Sequence, residues 1–439
     1  MLQWSVPQRT LYHEGVMFSR MCGVLWVGLL MAQPAADPAA TARKALDLLL
    51  GQKNADLIPM LAPQAKANFT ETALGKISAE TQAWGAVEKI GDPAVRKLGA
   101  VSVVTIPVKF AKQNINYQFG VSEAGQITAI FRAPAPPEWQ RPVYSKPDAF
   151  REREVTMAQG EFKMPGTLTV PVGAAKAPGV VLVPTAGPMD RDDTVGAIKV
   201  FKDLAEGLAS RGIVVLRYDK RTRLYPSVQR SPNYTVEKET IDDAVAAVAL
   251  LRSQPEVNPQ KVFVLGYGMG GYLAPRIAAA DGKLAGMILM AANARPLEDV
   301  LLEQAIYLGA SGKRMEDIKA GVAKVKAVDP ADTDAPPMLG LPATYFISLK
   351  DYDPVGDARK LAVPILILQG DRDFEATAKA DLSLWKTGLG SRKDAAFHEY
   401  PALNHLMVAG EGRSTDEEYR NPGHVAPEVI DDIAKWVAQ

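Results

Sequence analysis

Two different hydrophobic rhythms run along this chain. From about residue 150 onward, short wholly apolar runs alternate with amphipathic stretches. Val180 to Val183, Ile213 to Leu216, Val262 to Leu265, Met287 to Met290 and Ile365 to Leu368 are apolar throughout, as strands buried on both faces of a parallel sheet must be. Between them, Phe201, Leu204 and Leu208 share one helical face, and Ile241, Ala244, Val245, Val248 and Leu251 share another. A further short strand is predicted at Phe397 to Tyr400, and a closing helix carries the stripe Val429, Ile430, Ile433 and Val437. Before residue 133 the rhythm is that of a helix over Thr41 to Leu50. Alternating runs come next at Val101 to Phe110, Asn116 to Val121 and Ile127 to Phe131, with a turn at Glu123-Ala124-Gly125.

These patterns predict an α/β fold, a mostly parallel doubly wound sheet over 150–439, preceded by a small α+β domain over 37–133. The proline-rich stretch beginning at Ala133-Pro134-Ala135-Pro136-Pro137 marks a linker over 134–149. Residues of about 294–360, rich in charge and proline, interrupt the alternation and predict a helical cap over the carboxyl edge of the sheet, where ligands bind in open α/β folds. Tyr345, Phe346 and Tyr352 are candidates either for lining a pocket there or for packing the cap onto the sheet.

Composition narrows the partners. The chain has 439 residues and is 47% hydrophobic, with 50 basic and 50 acidic side chains, so it carries no footprint for nucleic acid or an anionic membrane. A small molecule or a peptide is the better expectation, with oligomeric state left open. Residues 1–36 read as a leader: a basic segment, Met17 to Arg20, precedes an apolar run from Met21 to Ala32 that is too short to span a bilayer. A signal peptide over about 17–33 predicts a secreted or periplasmic protein without stable membrane insertion after cleavage, with residues 1–16 as an upstream extension. The single cysteine, Cys22, lies in that run, which removes thiolate catalysis and cysteine-ligated zinc from the mature chain. No cofactor and no metal is expected.

The candidate chemistry begins at Gly266-Tyr267-Gly268-Met269-Gly270. It lies between an apolar strand and a helix-like stretch, the strand-turn-helix frame of a nucleophile elbow, but glycine stands where the attacking serine belongs. In that frame, in Gly370-Asp371-Arg372-Asp373 and in the segment around His405, the span 150–439 resembles the serine α/β-hydrolases of the esterase, acyl-peptidase and dienelactone-hydrolase kind. The first domain resembles the cone-shaped, nuclear-transport-factor-like modules of unknown function that precede many secreted hydrolases.

The resemblance implies a nucleophile, acid and histidine in that chain order, which here gives Gly268, Asp373 and His405. Asp371 is the competing acid. His398, inside a strand, reads as structural, and His424, in Asn421-Pro422-Gly423-His424, as part of a surface loop. Such hydrolases carry His-Gly after the first parallel strand, where this chain has Pro184-Thr185; the oxyanion donors implied are the Ala186 and Met269 N–H groups. Thr185 places a hydroxyl near the site, either toward a ligand or as an ordinary loop hydrogen-bonder.

Three functions are consistent with these residues: a binding or interaction protein that has lost acyl-enzyme chemistry, a residual hydrolase in which His405 and Asp373 activate a water, or an esterase altered at a single codon.

Overall fold

A computed structural model describes residues 37–135 and 137–439; the signal segment expected at 17–33, with Cys22, lies outside the described residues. Contacts divide the chain into two units, 1–135 and 136–439.

In the first unit, strands β1 (Val87–Ile90), β2 (Ala94–Leu98), β3 (Val101–Phe110), β4 (Asn114–Ser122) and β5 (Ile127–Pro134) form an antiparallel sheet. Its order is β1-β3-β4-β5, with β2 also on β3. Inward side chains of the long strands, Val104, Ile106, Val108, Tyr117 and Phe119, pack against Ala42, Ala45, Leu46 and Leu49 of the helix Pro38–Leu50. A second helix, Glu71–Ala83, starts at Thr70, whose side chain accepts from Ala73 N–H, and is tied to the sheet by Thr81 and Tyr117 hydroxyls 2.9 Å apart. The sequence pattern did not reveal β2, because all five of its residues are exposed and it carries no apolar face.

The second unit opens on two strands that the sequence pattern did not mark. Strands β6 (Phe150–Gln159) and β7 (Phe162–Pro171) form an antiparallel hairpin at the sheet edge, not the start of the parallel series. Strands β8 (Ala177–Val183), β11 (Val214–Tyr218), β12 (Val257–Tyr267), β13 (Gly286–Met290), β14 (Ile365–Gly370) and β15 (Ala395–Tyr400) run parallel. Together these make one eight-stranded sheet in the order β15-β14-β13-β12-β8-β11-β7-β6, and the short pair β9 (Thr194–Val195) and β10 (Ile198–Lys199) stands apart. Val181, Val183, Val264, Met287 and Leu289 face one layer of helices, Asp242–Arg252 and Met269–Asp281 among them. Val180, Leu182, Leu265, Ile288 and Met290 face the other, formed by Val200–Ala209 and Pro427–Ala438. This two-sided burial is why the central runs are continuously apolar.

Residues 139–145, expected within a linker, are fastened to the second unit. Trp139 Nε1 donates to Asp203 at 2.8 Å, Arg141 pairs with Glu206 at 2.7 Å, and the Tyr144 hydroxyl donates to the Val425 carbonyl at 2.8 Å. Proline content marked a chain without regular structure, but the buried carboxylates of Val200–Ala209 supply it with partners.

The insertion after β13 holds the helices Leu297–Tyr307, Gly312–Ala327, Ala343–Ile347 and Pro354–Lys360. The first lies against the loop after β14: Gln304 donates to the Glu375 carbonyl at 3.0 Å, and Tyr307 stacks on Phe374 with ring centroids 5.1 Å apart. Tyr345, Phe346 and Tyr352 are all buried, so they pack and do not line a cavity. Tyr352 donates to the Tyr272 carbonyl at 2.9 Å, and Tyr345 to Glu239 at 2.7 Å.

Candidate active site

Chain order puts the switch in winding direction between β8 and β12, because the chain leaves β8 for β11 on one side and returns to β12 on the other. Ligands in open α/β sheets bind at the carboxyl ends of strands flanking such a switch. Val183 of β8 pairs with Gly266 of β12, so the register carries Thr185 and Gly268 out of the sheet side by side.

The elbow is a crowded crossing of backbone. A Cβ on Gly270 would lie 2.3 Å from the Val183 carbonyl oxygen, and one on Gly266 2.3 Å from the Gly270 oxygen. These two glycines are therefore demanded by close approach, whatever stands between them. Gly270→Ala is expected to destabilise the protein by about 3 kcal/mol, since backbone and not a flexible side chain must yield. A melting temperature unchanged from the parent would refute that reading.

Gly268 has φ 53° and ψ −114°, donates its N–H to the Met290 carbonyl at 3.0 Å, and precedes the helix Met269–Asp281. A Cβ there would stand 2.5 Å from Thr185 Oγ1, 3.2 Å from Thr185 Cβ and 3.6 Å from His405 Nε2. The Thr185 hydroxyl thus occupies the place into which a side chain at 268 would grow. It also accepts from the Met269 N–H, at 3.4 Å. The Ala186 N–H makes no hydrogen bond among the described residues.

His405 and Asp373 come together from the loops after β15 and β14, with Nδ1 2.9 Å from Asp373 Oδ2. Asp373 is fixed from several sides: Oδ1 accepts from the Glu375 and Ala376 N–H groups at 2.7 and 3.0 Å, and Oδ2 from Gln369 Nε2 at 3.0 Å. Asp371 is exposed. His398 pairs with Asp432, and His424 with Asp203, each apart from this cluster. Gly268, Met269, Ala186, Asp373 and His405 therefore converge on one end of the sheet.

Three further groups at this end were not singled out from the sequence. Glu375 Oε2 lies 3.8 Å from His405 Nε2, while its other oxygen accepts from the Tyr419 hydroxyl at 2.8 Å. Its place two residues after Asp373 was the only signal. Asp193 is fully buried, accepts from the Thr185 N–H at 3.4 Å with Oδ2, and leaves Oδ1 without a partner among the described residues. Burial pushes its carboxyl up to about 7, against the opposing pull of the Thr185 N–H and Lys220. Lys220, also buried, donates to the Thr185 carbonyl and to Glu239, both at 2.8 Å.

Burial pulls the His405 imidazole down, but the carboxylates of Asp373, Glu375 and Asp193 outweigh it and hold the ring up at about 9. The carboxylates around the ring therefore favour its protonated form. Because this pKa lies above the unfolded value of about 6.5, the stabilisation it brings is fully present below that value and is lost as pH rises through about 9. A histidine ring resonance followed by NMR should titrate near 9 and vanish from the spectrum of His405→Gln; a midpoint near 6.5 would contradict the geometry. Among the described residues no group of three or more His, Cys, Asp or Glu is arranged to hold a metal ion.

Residues 164–301 match the dienelactone hydrolase family. Over 343 residues, 77% of this chain and 80% of the relative, the sequence is 37% identical to the esterase EstD of Thermotoga maritima. Solved structures similar to it include an esterase of Pyrococcus furiosus, with a TM-score of 0.44 at 13% identity, covering 69% of this chain and 96% of that one. Est1E of Butyrivibrio proteoclasticus gives 0.44 at 15% identity, covering 65% and 99%. With its mostly parallel sheet, the chain belongs to the α/β-hydrolase superfamily and is related to esterases and to the dienelactone hydrolase family.

Proposed function

We propose that this chain binds small acyl esters at the carboxyl edge of its sheet without forming a serine acyl-enzyme. Asp373, His405, Met269 and Ala186 keep the positions that the family resemblance assigns to acid, histidine and oxyanion donors, while position 268 supplies no nucleophile. The observation that carries this reading is the Thr185 hydroxyl, which stands 2.5 Å from where a Cβ at 268 would be and takes up the Met269 N–H. Loss of serine and filling of its space are two departures at separate loops, and they act together. The carboxylates around His405 favour its protonated form, which weighs against activation of water by the His405–Asp373 pair.

A fluorophosphonate probe and a short-chain aryl ester test the reading. The protein is expected to show no covalent adduct by mass spectrometry and no burst of released phenol, while a non-hydrolysable ester analogue binds. A stoichiometric adduct would overturn it. The apolar segment within 17–33 supports export to the periplasm or exterior; mature protein from the native host should begin near residue 34 on amino-terminal sequencing, and a chain still beginning at Met1 would refute this.

A further inference from the structure

We propose that Glu375 and His405 form a general base and general acid pair that hydrolyses aryl esters by direct attack of water, without any covalent intermediate. The proposal rests on the reading that small acyl esters enter this site.

Glu375 Oε2 and His405 Nε2 are 3.8 Å apart, and the Glu375 side chain is 30% exposed against 6% for His405, so the glutamate is the outward side of an otherwise buried pair. The glutamate is held in place at three points. Tyr419 donates to Oε1, Gln304 of the insertion donates to its backbone carbonyl at 3.0 Å, and its own N–H is bound by Asp373 at 2.7 Å. His405 Nε2 is 3.6 Å from the Cβ position of residue 268, which places the pair beside the elbow and its Met269 N–H. A carboxylate beside an imidazole held toward its protonated form sets a proton acceptor next to a proton donor: one can take a proton from water while the other gives one to a leaving aryloxide. Asp373, Glu375 and Asp193 favour the protonated ring that such a donor needs.

The step balances without a cofactor. Glu375 takes a proton from water as the water oxygen bonds to the ester carbonyl carbon. The tetrahedral species then breaks its bond to the aryloxy oxygen, which receives the proton from His405 Nε2. Transfer of the proton from Glu375 to the now neutral His405 restores the pair, and acid and phenol leave. General base catalysis of this kind contributes about 10²–10⁴-fold.

The groups facing His405 are Asp373 and Glu375 from the loop after β14, Asp193 from the loop after β8, and the Tyr267 ring at the end of β12, 5.0 Å away. Asp193, near 7, adds a titration step around neutrality, but the loss of the acid comes only as pH rises through about 9. The direct route should therefore fall on the alkaline side, whereas a route that needs neutral imidazole would rise there.

The test uses phenyl acetate with the full-length protein, and phenylacetone as its non-hydrolysable analogue. Hydrolysis above the spontaneous rate is expected with no burst, falling as pH passes about 9. Glu375→Gln should keep the Tyr419 hydrogen bond and ketone affinity, yet lose about 100-fold in rate. Ketone binding with no hydrolysis, an equal rate in Glu375→Gln, or a rate that climbs through pH 9 would each overturn the pair while leaving the binding reading intact. Failure of the ketone to bind would overturn the binding reading, and this proposal with it.

Discussion

Gly268→Ser alone will not give a working acyl-enzyme, but Gly268→Ser combined with Thr185→Gly will. The single variant must seat a Cβ 2.5 Å from Thr185 Oγ1 and 3.2 Å from Thr185 Cβ, so either threonine or serine is forced from its place. It also puts a side chain at φ 53°, with strain of about 1–3 kcal/mol. The second change removes the Thr185 side chain from beside position 268, and it frees the Met269 N–H. The double variant is expected to show a burst and at least about 10²-fold faster turnover of a short aryl ester than the parent, with its rate rising as His405 loses its proton. Both variants should melt below the parent, the single one further. If the single variant already shows a full burst, Thr185 is no obstruction. If the double variant is folded yet inert, decay of the site extends beyond these two loops.

Lys220→Met is expected to lower stability by about 3–5 kcal/mol, which for a domain of this size is on the order of 10 °C in melting temperature. Lys220 and Glu239 are 1% and 2% exposed, and removing the ammonium leaves the carboxylate buried and unpaired. The pair also grips both ends of one loop: Lys220 Nζ donates to the Thr185 carbonyl at 2.8 Å, and Glu239 accepts from the Gly187 N–H at 3.2 Å. Ala186, the candidate oxyanion donor, lies between them. Tyr345 of the insertion adds a hydrogen bond to the same carboxylate. Burial pushes Glu239 up, but Lys220 more than compensates and holds it below the ordinary carboxylate range. This contribution is therefore present above that range and fades as pH falls through the depressed value. A second change, Glu239→Leu, should return part of the loss, because no buried charge is then left alone. A melting temperature for Lys220→Met within about 2 °C of the parent would show the pair to be dispensable.

Much of the architecture was legible because burial on two faces leaves a plain mark. Runs such as Val262 to Leu265 can only be central parallel strands, and the elbow frame is set by close approach at Gly266 and Gly270 irrespective of the residue between them. The edge hairpin was obscured for the converse reason: β6 exposes most of its side chains, and its Glu-Arg-Glu stretch reads as surface. The pairing of His405 with Asp373 lay within reach through chain order. The contribution of Glu375 did not, because a glutamate in a loop carries no periodic signal and its approach to Nε2 depends on Tyr419 and Gln304, distant in sequence. Thr185 was noticed as a hydroxyl near the site, but only the register of β8 against β12 shows that it meets position 268.

The strap formed by residues 139–145 has a practical consequence for anyone dividing the chain. Cutting at residue 150, where the hairpin starts, would strip Glu206 of both Arg141 and Ser145 and deprive Asp203 of Trp139, exposing two carboxylates that are fully covered in the intact unit. A fragment that begins before Trp139 keeps that seal, so the strap belongs to the second unit as a clasp, and the severable point lies ahead of it.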